Sequence, residues 1–71
     1  MDCRGHRCPL PVIHLARRIN DVATRELIGV VADDPAARVD IPAWCRMRGH
    51  EFAGERAQPD GAPTYLVRRL R

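Results

Sequence analysis

Pro9-Leu10-Pro11-Val12-Ile13-His14-Leu15-Ala16-Arg17-Arg18-Ile19-Asn20-Asp21-Val22-Ala23 carries its apolar residues at Val12, Leu15, Ala16, Ile19 and Val22 or Ala23. Those intervals follow i, i+3, i+4 and i+7, the stripe of an amphipathic helix, and they predict a helix over about Pro9 to Ala23. His14, Arg17, Arg18 and Asp21 fall on the opposite side. Downstream, Glu26 to Ala32 is a short apolar, partly β-branched run that reads as a buried central strand. Asp33-Asp34-Pro35 breaks it, because proline cannot continue the ladder. Asp40 is then the expected N-cap of a second helix, with Pro42 in its first turn, where a missing N–H costs little. That helix runs through Ile41, Trp44, Cys45 and Met47 and stops at Gly49. Glu51 to Ala57 and Thr64 to Leu70 are expected as strands around the turn Pro59-Asp60-Gly61-Ala62. Upstream, Met1 to Arg4 leaves room for a brief opening strand before Gly5. The expected fold is therefore α/β: a two-layer sandwich of order β-α-β-α-β-β, with a four-stranded mixed sheet and two helices on one face.

Seventy-one residues make one small domain, residues 1–71, in which a deep active-site cavity has little room. A hydrophobic content of 45% argues for a folded chain. No apolar run approaches the roughly 18 residues that cross a bilayer. No basic, apolar, small-residue leader is evident, so the cytoplasm is the expected compartment and no membrane partner is expected. All 12 basic residues are Arg, against 9 acidic ones, for a formal charge of +3. Nucleotide bias accounts for the arginines without any partner, whereas a surface that meets acidic partners is the functional alternative. Apart from Arg17-Arg18 and Arg68-Arg69 the arginines are dispersed, which argues against direct nucleic-acid binding. Three cysteines, an odd number, do not form a secreted disulfide framework and fit a reducing compartment.

With Pro9 at the first helical position, Cys8 is expected at the N-cap, where the helix dipole favours a thiolate. Pro9 and Pro11 lack N–H groups, so Leu10 and Val12 are the donors left among the first four helical positions. Arg4 and Arg7 are expected to add positive charge beside the sulfur. A thiolate so placed attacks sulfane sulfur and can later be attacked itself. The residues alone equally allow an inert cysteine that caps the helix. An acyl-transfer site needs a base and an oxyanion hole in a cleft, which so short a chain does not offer.

Three segments together resemble the TusA-type (SirA-like) sulfur-carrier family. They are Asp2-Cys3-Arg4-Gly5-His6-Arg7-Cys8-Pro9-Leu10-Pro11 with Val12, then Asp33-Asp34-Pro35, then Asp40-Ile41-Pro42-Ala43-Trp44-Cys45-Arg46-Met47-Arg48-Gly49-His50-Glu51. They carry the family's Cys-Pro-x-Pro site, its Asp-Pro turn and its Asp-Ile-Pro…Gly-His segment, in order, from about Asp2 to Phe52. The resemblance implies that Cys8 takes a persulfide sulfur from a cysteine desulfurase or rhodanese-like donor and hands it to an acceptor protein, with no cofactor. Thiolation of tRNA, molybdenum-cofactor maturation, selenium metabolism and sulfur oxidation are all served by such carriers. The chain departs from the family at His6, usually apolar, at His14, often Lys, and at Thr24-Arg25, where a Gly often ends the first helix. These departures bear on local charge and partner choice.

Other candidates are weighed against plainer roles. Cys3, five positions before Cys8, is a possible redox partner for it, or a packed thiol. Cys45 falls on the second helix's apolar stripe and reads as core. Cys3, His6, Cys8 and His14 match no usual zinc spacing, so no metal is expected. Leu10, between two prolines, is the expected apolar partner contact, with His14, Arg17 and Arg18 as polar ones, or else a solvated face. His50 is expected as a capping or hydrogen-bonding residue. The alternatives to a sulfur relay are a small basic nucleic-acid-binding or regulatory module and a Cys3–Cys8 thiol–disulfide switch. Cys8→Ser separates them, since binding survives it and sulfur transfer does not.

Overall fold

A computed structural model describes residues 1–7 and 9–71. Among the described residues the order is α1 (Leu10–Arg18), a 3-10 turn (Ile19–Asp21), β1 (Leu27–Val31), α2 (Ala37–Arg48), β2 (Glu51–Ala57) and β3 (Pro63–Arg68). The sheet has three strands in the order β1-β3-β2, each pair antiparallel. Side chains alternate along a strand, so Ile28 and Val30 of β1 share a face with their partners Val67 and Tyr65 of β3. Onto that face the helices bring Leu15, Ile19, Ile41, Trp44 and Cys45, and these close one core with Val30, Tyr65 and Val67. The chain is thus α/β with two helices over one antiparallel sheet.

The sheet differs from the expected four-stranded mixed one. Met1–Cys3 does run parallel to β1, with the Cys3 N–H donating to Val31 O at 2.6 Å and the Val31 N–H to Met1 O at 2.8 Å. The pairing is a single bridge, Asp2 to Val31, because the chain turns away at Arg4-Gly5 with Gly5 at φ +82°. β1, expected at the centre, forms an edge of the three-stranded sheet. The central strand is β3, whose Thr64, Tyr65 and Val67 are buried. β1 reads as central from its apolar run, and the single Asp2–Val31 bridge covers only part of its other edge.

Both helices also differ at their ends. α1 tightens into the 3-10 turn and Val22 is already extended. The chain then reverses through Arg25 at φ +76°, a non-glycine residue in the left-handed region. α2 starts at Ala37, not after an Asp40 cap. Asp34 starts it: its carboxylate accepts the Ala36 N–H at 3.0 Å and its carbonyl the Ala37 N–H at 3.0 Å. Asp40 falls in the first turn, where a carboxylate suits the helix dipole. Pro42 consequently sits inside the helix, and its missing N–H leaves the Arg38 carbonyl without its usual i+4 donor. The stop at Gly49 is as expected, at φ +76° with its N–H on Cys45 O. β2 also has the expected bounds, with a bulge between Phe52 and Gly54.

Candidate functional site

Cys8, and with it the expected N-cap geometry of its sulfur, lies outside the described residues. The residues around it are placed. Pro9 occupies the N-cap of α1, one position later than expected, and Leu10 begins the helix. The Leu10 N–H, expected to be a free donor, is taken by the Arg7 carbonyl at 2.9 Å. Pro11 is buried and anchors the first turn from below. Leu10 stands 43% exposed, and Ile13, one turn on, is 39% exposed beside it. Ile13 is not among the sequence-expected contacts, although its i to i+3 spacing from Leu10 is the available signal.

Arg4 does not stand free beside the site. Its guanidinium grips the Asp2 carboxylate through Nε at 3.1 Å and Nη2 at 2.8 Å and also pairs with Asp60 in the β2–β3 turn. The Arg4 side-chain hydrogen bond, followed by its backbone one, holds the Asp2 carboxyl down at about 2. Arg4 therefore fastens the loop to the hairpin rather than offering an unpaired charge. Arg7 is exposed and lines an open cavity of about 470 Å3 with Gly5, His6, Asp33, Asp34 and Pro35. On that side the Gly5 N–H donates to the Asp33 carboxylate. From sequence Asp33 and Asp60 are turn residues only. Their role depends on tertiary contacts that no local pattern encodes.

His14, expected on the open side of α1, is half-buried and stacks on His6, with ring centroids 5.2 Å apart and planes 29° from parallel. Arg17 and Arg18 are exposed, as expected. Cys3 and Cys45 are each 1% exposed, free of disulfides, and buried in the core. Burial pushes both thiols up, Cys45 to about 11, so neither is readily a thiolate. His50 stacks on Trp44 at 5.4 Å, and its Nδ1 accepts the Leu70 N–H at 3.1 Å. Among the described residues no three of His, Cys, Asp and Glu gather as metal ligands, and no helix is long and apolar enough to cross a membrane.

The family model described as "Sulfurtransferase TusA" matches residues 1–69. The chain is 38% identical over 69 residues to the sulfur carrier protein TusA of Pseudomonas syringae pv. syringae, covering 97% of this chain and 81% of that protein. It is 41% identical over 66 residues to the protein of the same name from Pseudomonas paraeruginosa, covering 93% and 80%. It is 39% identical over 66 residues to the one from Pseudomonas entomophila, covering 93% and 79%. With a match along nearly its whole length and the Cys-Pro-x-Pro motif at Cys8, the chain belongs to the TusA family.

Proposed function

We propose that this protein is a sulfur-relay carrier that holds sulfane sulfur as a persulfide on Cys8 between a donor and an acceptor protein. The observation that carries the reading is the family match over residues 1–69, whose relatives are named sulfur carriers. Cysteine chemistry points the same way. Cys3 and Cys45 are buried in the core with raised thiol pKa values, which supports Cys8 rather than either of them as the carrier.

The chemistry balances without a cofactor. The Cys8 thiolate attacks the outer sulfur of a donor persulfide, forming an S–S bond as the donor's S–S bond breaks and its thiolate leaves. In the second half an acceptor thiolate attacks the outer sulfur on Cys8 and releases the Cys8 thiolate. A cysteine desulfurase or a rhodanese-like protein is the expected donor. The exposed pair Leu10 and Ile13 is the apolar surface on which donor and acceptor close to exclude water. Labelled sulfur from cysteine, delivered by a cysteine desulfurase, tests the reading. Label should bind the wild type and Cys45→Ala, leave with reductant, and fail to bind Cys8→Ser. Equal labelling of Cys8→Ser would refute it.

A further inference from the structure

Two of the positions at which the chain departs from the family pattern, His6 and His14, meet in space. His6 comes from the loop after the edge bridge and His14 from the second turn of α1, and their rings stack. Both line a cavity of about 180 Å3 with Met1, Asp2, Cys3 and Arg18. That volume is well above the roughly 10–15 Å3 needed to hold one small polar molecule such as water. Among the described residues the His6 Nδ1 is buried and has no hydrogen-bond partner. A buried polar atom left in that state is costly, so a ligand that satisfied it would be favoured.

The charge around the cavity is one-sided. Asp2 is its one carboxylate, and Asp2 is already engaged by the Arg4 backbone N–H at 3.0 Å and by the Arg4 guanidinium. Arg18 also faces it, and among the described residues no carboxylate lies within ion-pair distance of Arg18. Cys3 is held as a neutral thiol by burial. What remains for a guest is a guanidinium and two imidazoles, which are hydrogen-bond donors to an anion.

From the orphaned imidazole, the stacked pair and the unmatched arginine, we infer that this cavity binds a small tetrahedral oxyanion of the sulfate or phosphate class. The anion sits between Arg18 and the His6–His14 pair and draws the Gly5–Arg7 loop, which leads directly into Cys8, against α1. Its occupancy thereby sets the order of that loop. The inference needs no sulfur chemistry and stands or falls separately from the relay.

The test is a titration of labelled protein with sodium sulfate and, separately, sodium phosphate, at ionic strength held constant with sodium chloride, read by imidazole NMR. Saturable shifts at His6 and His14 are expected with both salts, weakened at least tenfold in Arg18→Met, with His50 as the internal control. Arg18→Met is surface-exposed at its end and is not expected to unfold the chain, and His6→Leu provides a second, apolar filling of the same cavity that should also abolish binding. Shifts that match chloride alone, that centre on His50, or that persist in Arg18→Met would overturn the inference. A response to one salt only would restrict the site to that anion.

Discussion

The Gly5 N–H donates to both oxygens of the Asp33 carboxylate, at 3.0 and 3.1 Å, and so ties the loop before Cys8 to the turn between β1 and α2. Gly5 is at φ +82°, so this short loop reaches Asp33 in a conformation that other residues adopt only with strain. Asp33→Ala removes the acceptor at a cost of about 1 kcal/mol. Amide exchange should rise at Gly5–Arg7 while the β3 amides stay protected, and sulfur loading should slow several-fold. Unchanged exchange in the loop would show that the bond does not order it.

Arg25 holds φ +76° without being glycine. Left-handed backbone costs an ordinary residue roughly 1–2 kcal/mol, part of which glycine gives back in unfolded-state entropy. Arg25→Gly is therefore expected to stabilise the protein by about 1 kcal/mol in a denaturant titration. The Arg68 side chain bonds to the Arg25 carbonyl, which the substitution keeps. A destabilised variant would mean that the Arg25 side chain supplies more than its backbone strain costs.

Stability should fall at both ends of the pH scale for separate reasons. Burial first, then the charges of Arg69, Arg71 and Arg48, lower the His50 pKa from 6.5. Its contribution is full above 6.5 and is lost as pH falls through the depressed value. Protonation also removes the acceptor of the Leu70 N–H. Between about pH 7.5 and pH 5.5 the thermal midpoint should drop in the wild type and drop less in His50→Gln, as scanning calorimetry can read. At alkaline pH, Cys45 is raised from 9.0 to about 11, so its contribution is present below 9.0 and lost as pH climbs through about 11. Cys45→Ala should flatten that alkaline limb.

Leu10 and Ile13 stand exposed on the first turns of α1 while Leu15 and Ile19 hold the core. Replacing both exposed residues with Ser should leave the melting temperature within a few degrees, since surface changes usually stay within about 0.5 kcal/mol. Sulfur receipt from a cysteine desulfurase should slow by roughly tenfold, about 1.4 kcal/mol of docking free energy. An unaltered rate would place the docking surface elsewhere.

The helical stripe around Leu15 and Ile19, the stop at Gly49 and the bounds of β2 were all legible because each rests on local spacing or local backbone geometry. The central place of β3 was not, since strand order is set by long-range pairing that apolar composition does not encode. At the entrance to α2 the Asp34 carboxylate, not Asp40, accepts a backbone N–H, that of Ala36, and Pro42 lies inside the helix. At the site, the Cys-Pro-x-Pro run and exposed Leu10 were visible in sequence. The pairing of Arg4 with Asp60, 56 residues away, and the meeting of His6 with His14 became visible only in three dimensions.

Intact-protein mass spectrometry after exposure to a cysteine desulfurase with cysteine, and separately to thiosulfate with a rhodanese, tests the relay most directly. The account predicts one added sulfur that maps to Cys8, is removed by reductant and is absent in Cys8→Ser. Sulfur that maps to Cys3 or Cys45, or none from either donor while Cys8 is free and alkylatable, would contradict it.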